Sequence, residues 1–376
     1  MPDAHDHKIK MTVSERSPEA LAVALRDWLA ARLGTENPPE ITSVRMPESG
    51  GLSSTSVLFE AHWTISSSTQ QGAYVARLAP ETSAVPVFPK YDLPAQYELI
   101  KAVSARCGAP LPALRWNEPD GGPLGTPFFV MDQVTGRIPL DNPPYVFAGW
   151  LYDATPEERA ELRDASVAVL AELHSITDPR AAFPWLVPPS GQNSLRAHVE
   201  GQREYYRWAL TSDGIEIPII ERSFDWLEAH WPAEPGADVL CWGDARIGNI
   251  IYDQLTPVAV LDWEMAAIGP REIDLSWFIF LHRFFQDIAE FFELPGLPDF
   301  MHRSDVERNY AELTGYEPRD MDFYLTYAAL RHAIVMARIK RRMAHFGEDE
   351  LPEELDDYVM HRASLEKLLA GTYRWD

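Results

Sequence analysis

The sequence predicts an α+β protein in two unequal lobes, a small one built on an antiparallel sheet and a larger one that is mainly helical. Three observations lead there. Between residues 41 and 78 apolar residues alternate with period two in runs joined by short polar connections, which favours an antiparallel meander. Beyond about residue 135 helical spacing takes over almost everywhere. The exception, 238–262, is a short β-like interruption holding DVL, NIIYD and PVAVLD.

Taken in order, residues 1–16 read as a disordered arm. Ser17-Pro18 then supplies an N-cap and a proline at the first helical position, and Leu21, Leu25, Trp28, Leu29 and Leu33 follow at helical spacing up to Gly34. Strands are expected at 41–46 (ITSVRM), 54–65 (STSVLFEAHWTI) and 73–78 (AYVARL), separated by PESGGLS and by a polar turn, SSSTQQG. A helix over 93–106 and a strand over 127–134 (PFFVMDQV) complete a first lobe spanning 17–134. Composition shifts after Thr135-Gly136, where a proline-rich stretch begins, so the second lobe is expected over 135–376. In it, Thr155-Pro156-Glu157-Glu158 is a capping box that opens a helix with Leu162, Ala165, Val169 and Leu173 on its apolar face. Further helices are expected at 194–211, 218–231, 271–291, 319–346 and 353–370.

Bulk properties narrow the function. The chain has 376 residues, 46% of them hydrophobic, enough for a substantial core. Its 57 acidic against 33 basic residues give a net charge of −24, which repels phosphate backbones and argues against nucleic acid or an anionic membrane as partner. No run reaches the ~18 apolar residues of a membrane span, and the start MPDAHDHKIK is too polar for a secretory signal, so a cytoplasmic location is expected, as a monomer or homodimer. Cys107 and Cys241 lack the spacing of a zinc or redox pair.

The stretch VLCWGDARIGNIIYD, followed by VAVLDWEMAAIG, carries the chemistry. Phosphoryl transfer from a nucleotide needs a carboxylate to accept the acceptor's hydroxyl proton and oxygen ligands that hold Mg²⁺ on the phosphates. Asp244 is the candidate base. Asn249, five residues on, and Asp262, after the next strand, are the candidate metal ligands. Taken singly, Gly243-Asp244 and Asn249 read first as an Asx turn and its end, and Asp262 as a helix cap. Assembled in this order and spacing, they favour the chemical role.

These residues resemble the aminoglycoside phosphotransferase family, a branch of the protein-kinase-like fold. Its catalytic loop reads roughly His-Gly-Asp-x-x-x-x-Asn, then Ile/Leu-Asp-Trp-Glu after a strand; here the corresponding pieces are WGDARIGN and LDWE. Trp242 stands where the family commonly has a histidine that links the catalytic loop to the metal-binding segment. The segment Ile268-Gly269-Pro270-Arg271-Glu272-Ile273-Asp274-Leu275 is similar to the family's Gly-Asp-Pro-x-x-Asp-Leu, which gives Asp274 a buttressing role, and His174 is read as support.

The resemblance implies an ATP or GTP site in the first lobe. Gly50, Gly51, Ser53, Ser54 and Thr55 correspond to a phosphate-covering loop, Val75 to the apolar lid over the base, and Arg77 to the phosphate cation, where a lysine is usual. Gln96 aligns with the glutamate that would hold that cation, with Glu98 two residues on. Met131, Gln133 and Val134 fall in the interlobe hinge, 131–136, whose backbone would meet the adenine edge.

With Arg77, WGDARIGN and FFVMDQVTG together, the pattern is similar to the subgroup of kinase-like domains fused to acyl-CoA dehydrogenases. An ATP- or GTP-dependent, Mg²⁺-assisted kinase of a small-molecule hydroxyl follows, its acceptor aminoglycoside-like or a hydroxyacyl compound. The alternative is a catalytically silent nucleotide- or ligand-binding module, suggested by the exchanges at Arg77, Gln96 and Trp242. Two features bear on the acceptor: acidic stretches at 348–357, and the aromatic run Trp277, Phe278, Phe280, Phe284, Phe285, Phe291 and Phe292, expected to be core.

Overall fold

A computed structural model describes residues 17–35, 37–47, 54–65, 68–80, 85–189 and 192–375. The arm expected over 1–16, and Gly50, Gly51 and Ser53, lie outside the described residues.

The first lobe opens with α1 (Pro18–Leu33), started by the Ser17 side chain accepting from the Ala20 N–H and ended by Gly34 in the left-handed region. Five strands, β1 (Glu40–Arg45), β2 (Thr55–Ile65), β3 (Ser68–Leu78), β4 (Leu114–Glu118) and β5 (Phe128–Asp132), form one antiparallel sheet in the order β1-β2-β3-β5-β4. The polar segment expected as a turn is strand from Ser68 onward, with Thr69, Gln70 and Gln71 paired to Thr64, Trp63 and His62. Apolar periodicity cannot report a strand end that is exposed on both faces and held by backbone pairing alone. β4, which the sequence did not predict, covers the far side of β5.

β5 shows why the sheet sits between two cores. Phe128 and Val130 face α1, joining Leu25, Trp28, Val57, Phe59 and Ala76, while Phe129 and Met131 face the larger core with α2 (Leu93–Ser104). Alternation along the strand therefore buries both faces.

The second lobe contains α3 (Pro156–His174), opened by the expected capping box, then α4 (Pro179–Ala182), α5 (Ser194–Leu210) and α6 (Pro218–Ala229). Four short strands follow: β6 (Asp238–Cys241), β7 (Ile250–Asp253), β8 (Thr256–Val260) and β9 (Ala267–Pro270). The β interruption is thus two ribbons, β6 with β9 and β7 with β8, and extends to residue 270. After them come α7 (Glu272–Phe291), α8 (Arg303–Thr314), α9 (Met321–His345) and α10 (Arg362–Leu369). The helix expected over 353–370 is only α10 preceded by a single 3₁₀ turn at Leu355–Tyr358, and α8 was not predicted.

α7 is buried along most of its length. Trp277, Phe278, Phe280, Phe284 and Phe285 are buried core, as expected, whereas Phe291 and Phe292 at its end are exposed. The three aspartates of the acidic stretch 348–357 are engaged elsewhere: Asp349 pairs with Lys340, Asp356 accepts from the Ile219 N–H at the start of α6 and pairs with Arg222, and Asp357 pairs with Arg362. Between the lobes, Tyr205 donates to the Val87 carbonyl at 3.0 Å and Arg338 to that of Pro86 at 2.8 and 3.1 Å, which ties the chain between β3 and α2 to α5 and α9. Among the described residues no helix is long and apolar enough to cross a membrane.

Candidate active site

The loop after β6 holds the candidate base in a rigid frame. Gly243 has φ +91°, and a Cβ there would stand 2.0 Å from the Met265 carbonyl oxygen, so both conformation and space require glycine. Asp274, fully buried near the start of α7, accepts from the backbone N–H groups of Trp242 (2.6 Å) and Gly243 (2.8 Å). His174, at the end of α3, reaches the same carboxylate at 3.2 Å and the Tyr310 hydroxyl at 2.8 Å. Arg331 of α9 donates to the Gly243 carbonyl at 2.9 Å. Gly243 is therefore gripped through its N–H from α7 and through its C=O from α9, which fixes the peptides on both of its sides.

Trp242 does more than pack. Its indole N–H donates to the carbonyls of Leu261 (2.8 Å) and Asp262 (3.1 Å), so the aromatic residue itself ties the loop carrying Asp244 to the segment carrying Asp262. An indole N–H supplies one fixed donor, which is what this link needs. Asp262 has φ +54°, a left-handed conformation that aspartate tolerates better than most residues.

Asp244 is surrounded by donors. Its Oδ2 accepts from Asn249 Nδ2 at 2.6 Å and from Arg246 Nε at 3.2 Å, and its Oδ1 accepts from the Trp277 indole at 2.7 Å. Trp277 could not be assigned from motif spacing, because it reads as one more core aromatic of α7. Asn249 also donates Nδ2 to the Asp244 carbonyl at 3.1 Å, which leaves its Oδ1 as the atom able to ligate a cation. Arg246 bridges Asp244 to Asp141, beyond the hinge, at 2.5 Å. Burial works against its charge, but the carboxylates of Asp141, Asp244 and Asp262 outweigh that and raise its pKa.

The candidate metal ligands fit a hard divalent cation in donor chemistry, one carboxylate from Asp262 and one carboxamide oxygen from Asn249. The Leu261 N–H donates to the Asn249 carbonyl at 2.9 Å, which brings the two segments together. In the structure the Asp262 carboxylate is hydrogen-bonded to Arg77, whose other arm donates to the Ser56 hydroxyl at 2.8 Å. The partner of the Arg77 cation is therefore Asp262, neither Gln96 nor Glu98. Gln96 is buried in α2, and Glu98 pairs with Lys101 on the exposed side. Helix phase places Glu98 away from the cleft; the carboxylate that meets Arg77 is distant in sequence by 185 residues.

Of the remaining nucleotide-site residues, Ser54 and Thr55 are buried at the start of β2, and the hydroxyl that meets Arg77 is that of Ser56, which the sequence did not single out. Val75 lies on β3 opposite Met131 of β5. In the hinge, the Asp132 N–H donates to the Ala113 carbonyl and the Gln133 N–H to that of Ala73, each at 2.9 Å, so the sheet engages the Gln133 amide, while no backbone acceptor among the described residues takes the Val134 N–H. Gly136 is required here too, since a Cβ would lie 2.5 Å from Ile251 and 2.6 Å from the Tyr252 carbonyl, where Arg137 and Tyr252 exchange 2.8 Å backbone bonds.

A model of the phosphotransferase enzyme family matches residues 49–298. Over 207 residues the chain is 29% identical to acyl-CoA dehydrogenase family member 11 of Homo sapiens, a match covering 54% of this chain and 25% of that protein. It is 28% identical over 261 residues to family member 10 of Mus musculus, covering 66% and 22% respectively. The chain thus spans about a quarter of the length of these relatives. A solved ternary complex of a thermostable mutant of aminoglycoside phosphotransferase APH(4)-Ia with ADP and hygromycin B matches with a TM-score of 0.56 at 14% identity, over 93% of this chain and 99% of that one. That likeness shows the fold, the two-lobed kinase-like architecture the sequence predicted.

Proposed function

Since the chain belongs to the phosphotransferase enzyme family, we propose that it transfers the terminal phosphoryl group of ATP or GTP to a hydroxyl of a small molecule, with Asp244 as the base and Asn249 and Asp262 as the ligands of Mg²⁺. The observation that carries this is the setting of Asp244, a carboxylate on a glycine-restricted loop, held by Asn249, Arg246 and Trp277, with Asp262 tied alongside through Trp242. In phosphoryl transfer the protein mainly positions groups and balances charge. Mg²⁺, when bound, would neutralise phosphate charge between Asn249 and Asp262. Arg77 would then turn from Asp262 to the phosphates, Val75 would cover the base, and the Val134 N–H would meet its edge.

For the acceptor, a neutral or anionic hydroxyl compound such as a hydroxyacyl species is favoured over a polycation. Asp349, Asp356 and Asp357, carboxylates of the acidic stretch that could have met a polycation, are instead held in ion pairs and a helix cap. The second reading, a silent nucleotide-binding module, has in its favour the Arg77–Asp262 pair, which occupies a metal ligand.

The test is a thermal-shift titration with MgATP and MgGTP, then turnover against a panel of aminoglycosides, hydroxyacids and hydroxyacyl thioesters, with Asp244→Asn as control. A phosphorylated product lost in Asp244→Asn is expected. Nucleotide binding with no product across the panel would favour the silent module, and product formed equally well by Asp244→Asn would remove Asp244 from the reaction.

A further inference from the structure

Trp277 and Arg331 form a clamp behind Asp244 that the phosphotransfer chemistry alone does not call for. On α7, Asp274 and Trp277 are three residues apart and so share a face. Asp274 holds the N–H groups of Trp242 and Gly243, and Trp277 donates its indole N–H to Asp244 Oδ1. Arg331 stacks on the other side of the indole, its guanidinium carbon 4.3 Å from the ring centroid, while Nη2 donates to the Gly243 carbonyl. This arginine is 1% exposed, and its Nε and Nη1 have no hydrogen-bond partner among the described residues. Keeping a guanidinium there is costly unless the ring face and the carbonyl are what it serves. A cation over the ring also draws electron density from the indole and makes its N–H a stronger donor.

The donors divide unequally between the two carboxylate oxygens. Oδ2 accepts two hydrogen bonds, from Asn249 and Arg246, and Oδ1 accepts one, from Trp277. A carboxylate oxygen accepts about two in its plane. Oδ2 is filled and Oδ1 keeps one lone pair.

We propose that Trp277, clamped by Arg331, is a positioning residue that aims the remaining lone pair of Asp244 Oδ1 at the acceptor hydroxyl. The inference rests on the phosphotransferase function proposed above. In the step, the hydroxyl proton passes to Oδ1 as the acceptor oxygen forms its bond to the terminal phosphorus. The bond from that phosphorus to the bridging oxygen breaks, and its electron pair leaves with the nucleoside diphosphate.

The experiment has two arms. In the first, kcat and KM are measured with MgATP, using the best acceptor of the panel and, without acceptor, slow hydrolysis. Trp277→Phe, which keeps the ring and loses the N–H, is expected to lower kcat roughly 10- to 100-fold with little change in KM for MgATP. Arg331→Met should also lower kcat, and on top of Trp277→Phe it should add only what the lost bond to the Gly243 carbonyl contributes, because the cation over the ring then has no indole N–H to strengthen. Losses that multiply in full, or appear in KM, would mark a merely structural role.

In the second arm, the Trp277 indole ¹H–¹⁵N resonance of tryptophan-labelled protein is followed on Asp244→Asn. A clear displacement is expected. Full kcat in Trp277→Phe, or an indole resonance that Asp244→Asn leaves in place, overturns the proposal. Should the variants fail to fold, the resonance in the wild type and Asp244→Asn decides. Absence of any nucleotide turnover by the wild type would instead sink the phosphotransferase function itself, and with it the proton step.

Discussion

Replacing Asp274 by asparagine tests the frame of the loop that carries Asp244 with nearly no change of shape. The carboxylate accepts from the Trp242 N–H at 2.6 Å, the Gly243 N–H at 2.8 Å and His174 at 3.2 Å, all in a fully buried setting. Asparagine offers one oxygen and one NH₂. Whichever way its amide turns, one backbone N–H faces another donor and the ionic character of the remaining bond is lost. A charge-assisted bond lost together with a buried donor orphaned amounts to roughly 3–5 kcal/mol. With about 2.1 cal/mol/K of unfolding entropy per residue, a chain of 376 residues has roughly 0.8 kcal/mol/K, so the midpoint should fall by about 5 °C. Differential scanning fluorimetry, with urea denaturation as a check, measures it. Because the perturbed amides directly precede Asp244, turnover of the still-folded protein should fall as well. A melting point within about 1 °C of wild type would refute the claim that Asp274 carries this loop.

Three further outcomes are expected. Trp242→Phe, which removes the N–H to Leu261 and Asp262 and leaves a smaller ring, should cost about 3 kcal/mol in urea denaturation, while Trp242→His, which keeps a ring donor, should retain more turnover than the phenylalanine variant; equal turnover would show that the hydrogen-bonded link is irrelevant. Arg77→Met should tighten Mg²⁺ binding in a nucleotide-free thermal-shift titration, since Asp262 loses its competing cation, and an unchanged Mg²⁺ response would remove Asp262 as a ligand. Burial lowers the pKa of His198 and His282 to about 3 and of His361 to about 4, so these rings stay neutral in the folded protein while the unfolded chain protonates them below its ordinary value of about 6.5. The unfolded state then binds more protons, and stability present above that value is lost as pH falls from about 6.5 toward 4, by about 1.4 kcal/mol per ring at pH 5.5; a urea midpoint identical at pH 7.5 and 5.5 would contradict it.

The candidate site around Asp244 was legible because its residues are written in contiguous pieces. WGDARIGN and LDWE each place their polar residues on a single turn, and Asp274 follows within one strand and the start of a helix, so spacing alone brings them near one another. α1 and α3 were legible for a similar reason: their caps, Ser17 and the Thr155–Glu158 box, are local hydrogen bonds within four residues. Contacts made across long sequence distances were not. Trp277 looks like every other aromatic on α7 until the fold shows which ring meets Asp244, and Arg331 is one of several arginines on a long helix. The polar start of β3 and all of β4 are strands only because neighbouring strands offer backbone partners, which no periodicity of their own records.

By itself, the sequence determined the two-lobe class, the family and the order of the chemical groups along the chain, since apolar period, caps and short motifs are properties of a few consecutive residues. Only the tertiary structure decided which groups are paired: Arg77 with Asp262 rather than with a residue of α2, Trp242 as a hydrogen-bonded link between two loops, and Trp277 with Arg331 behind Asp244. The physical reason is that a buried donor must find whatever acceptor the packing brings to it, and that choice is made between segments tens to hundreds of residues apart.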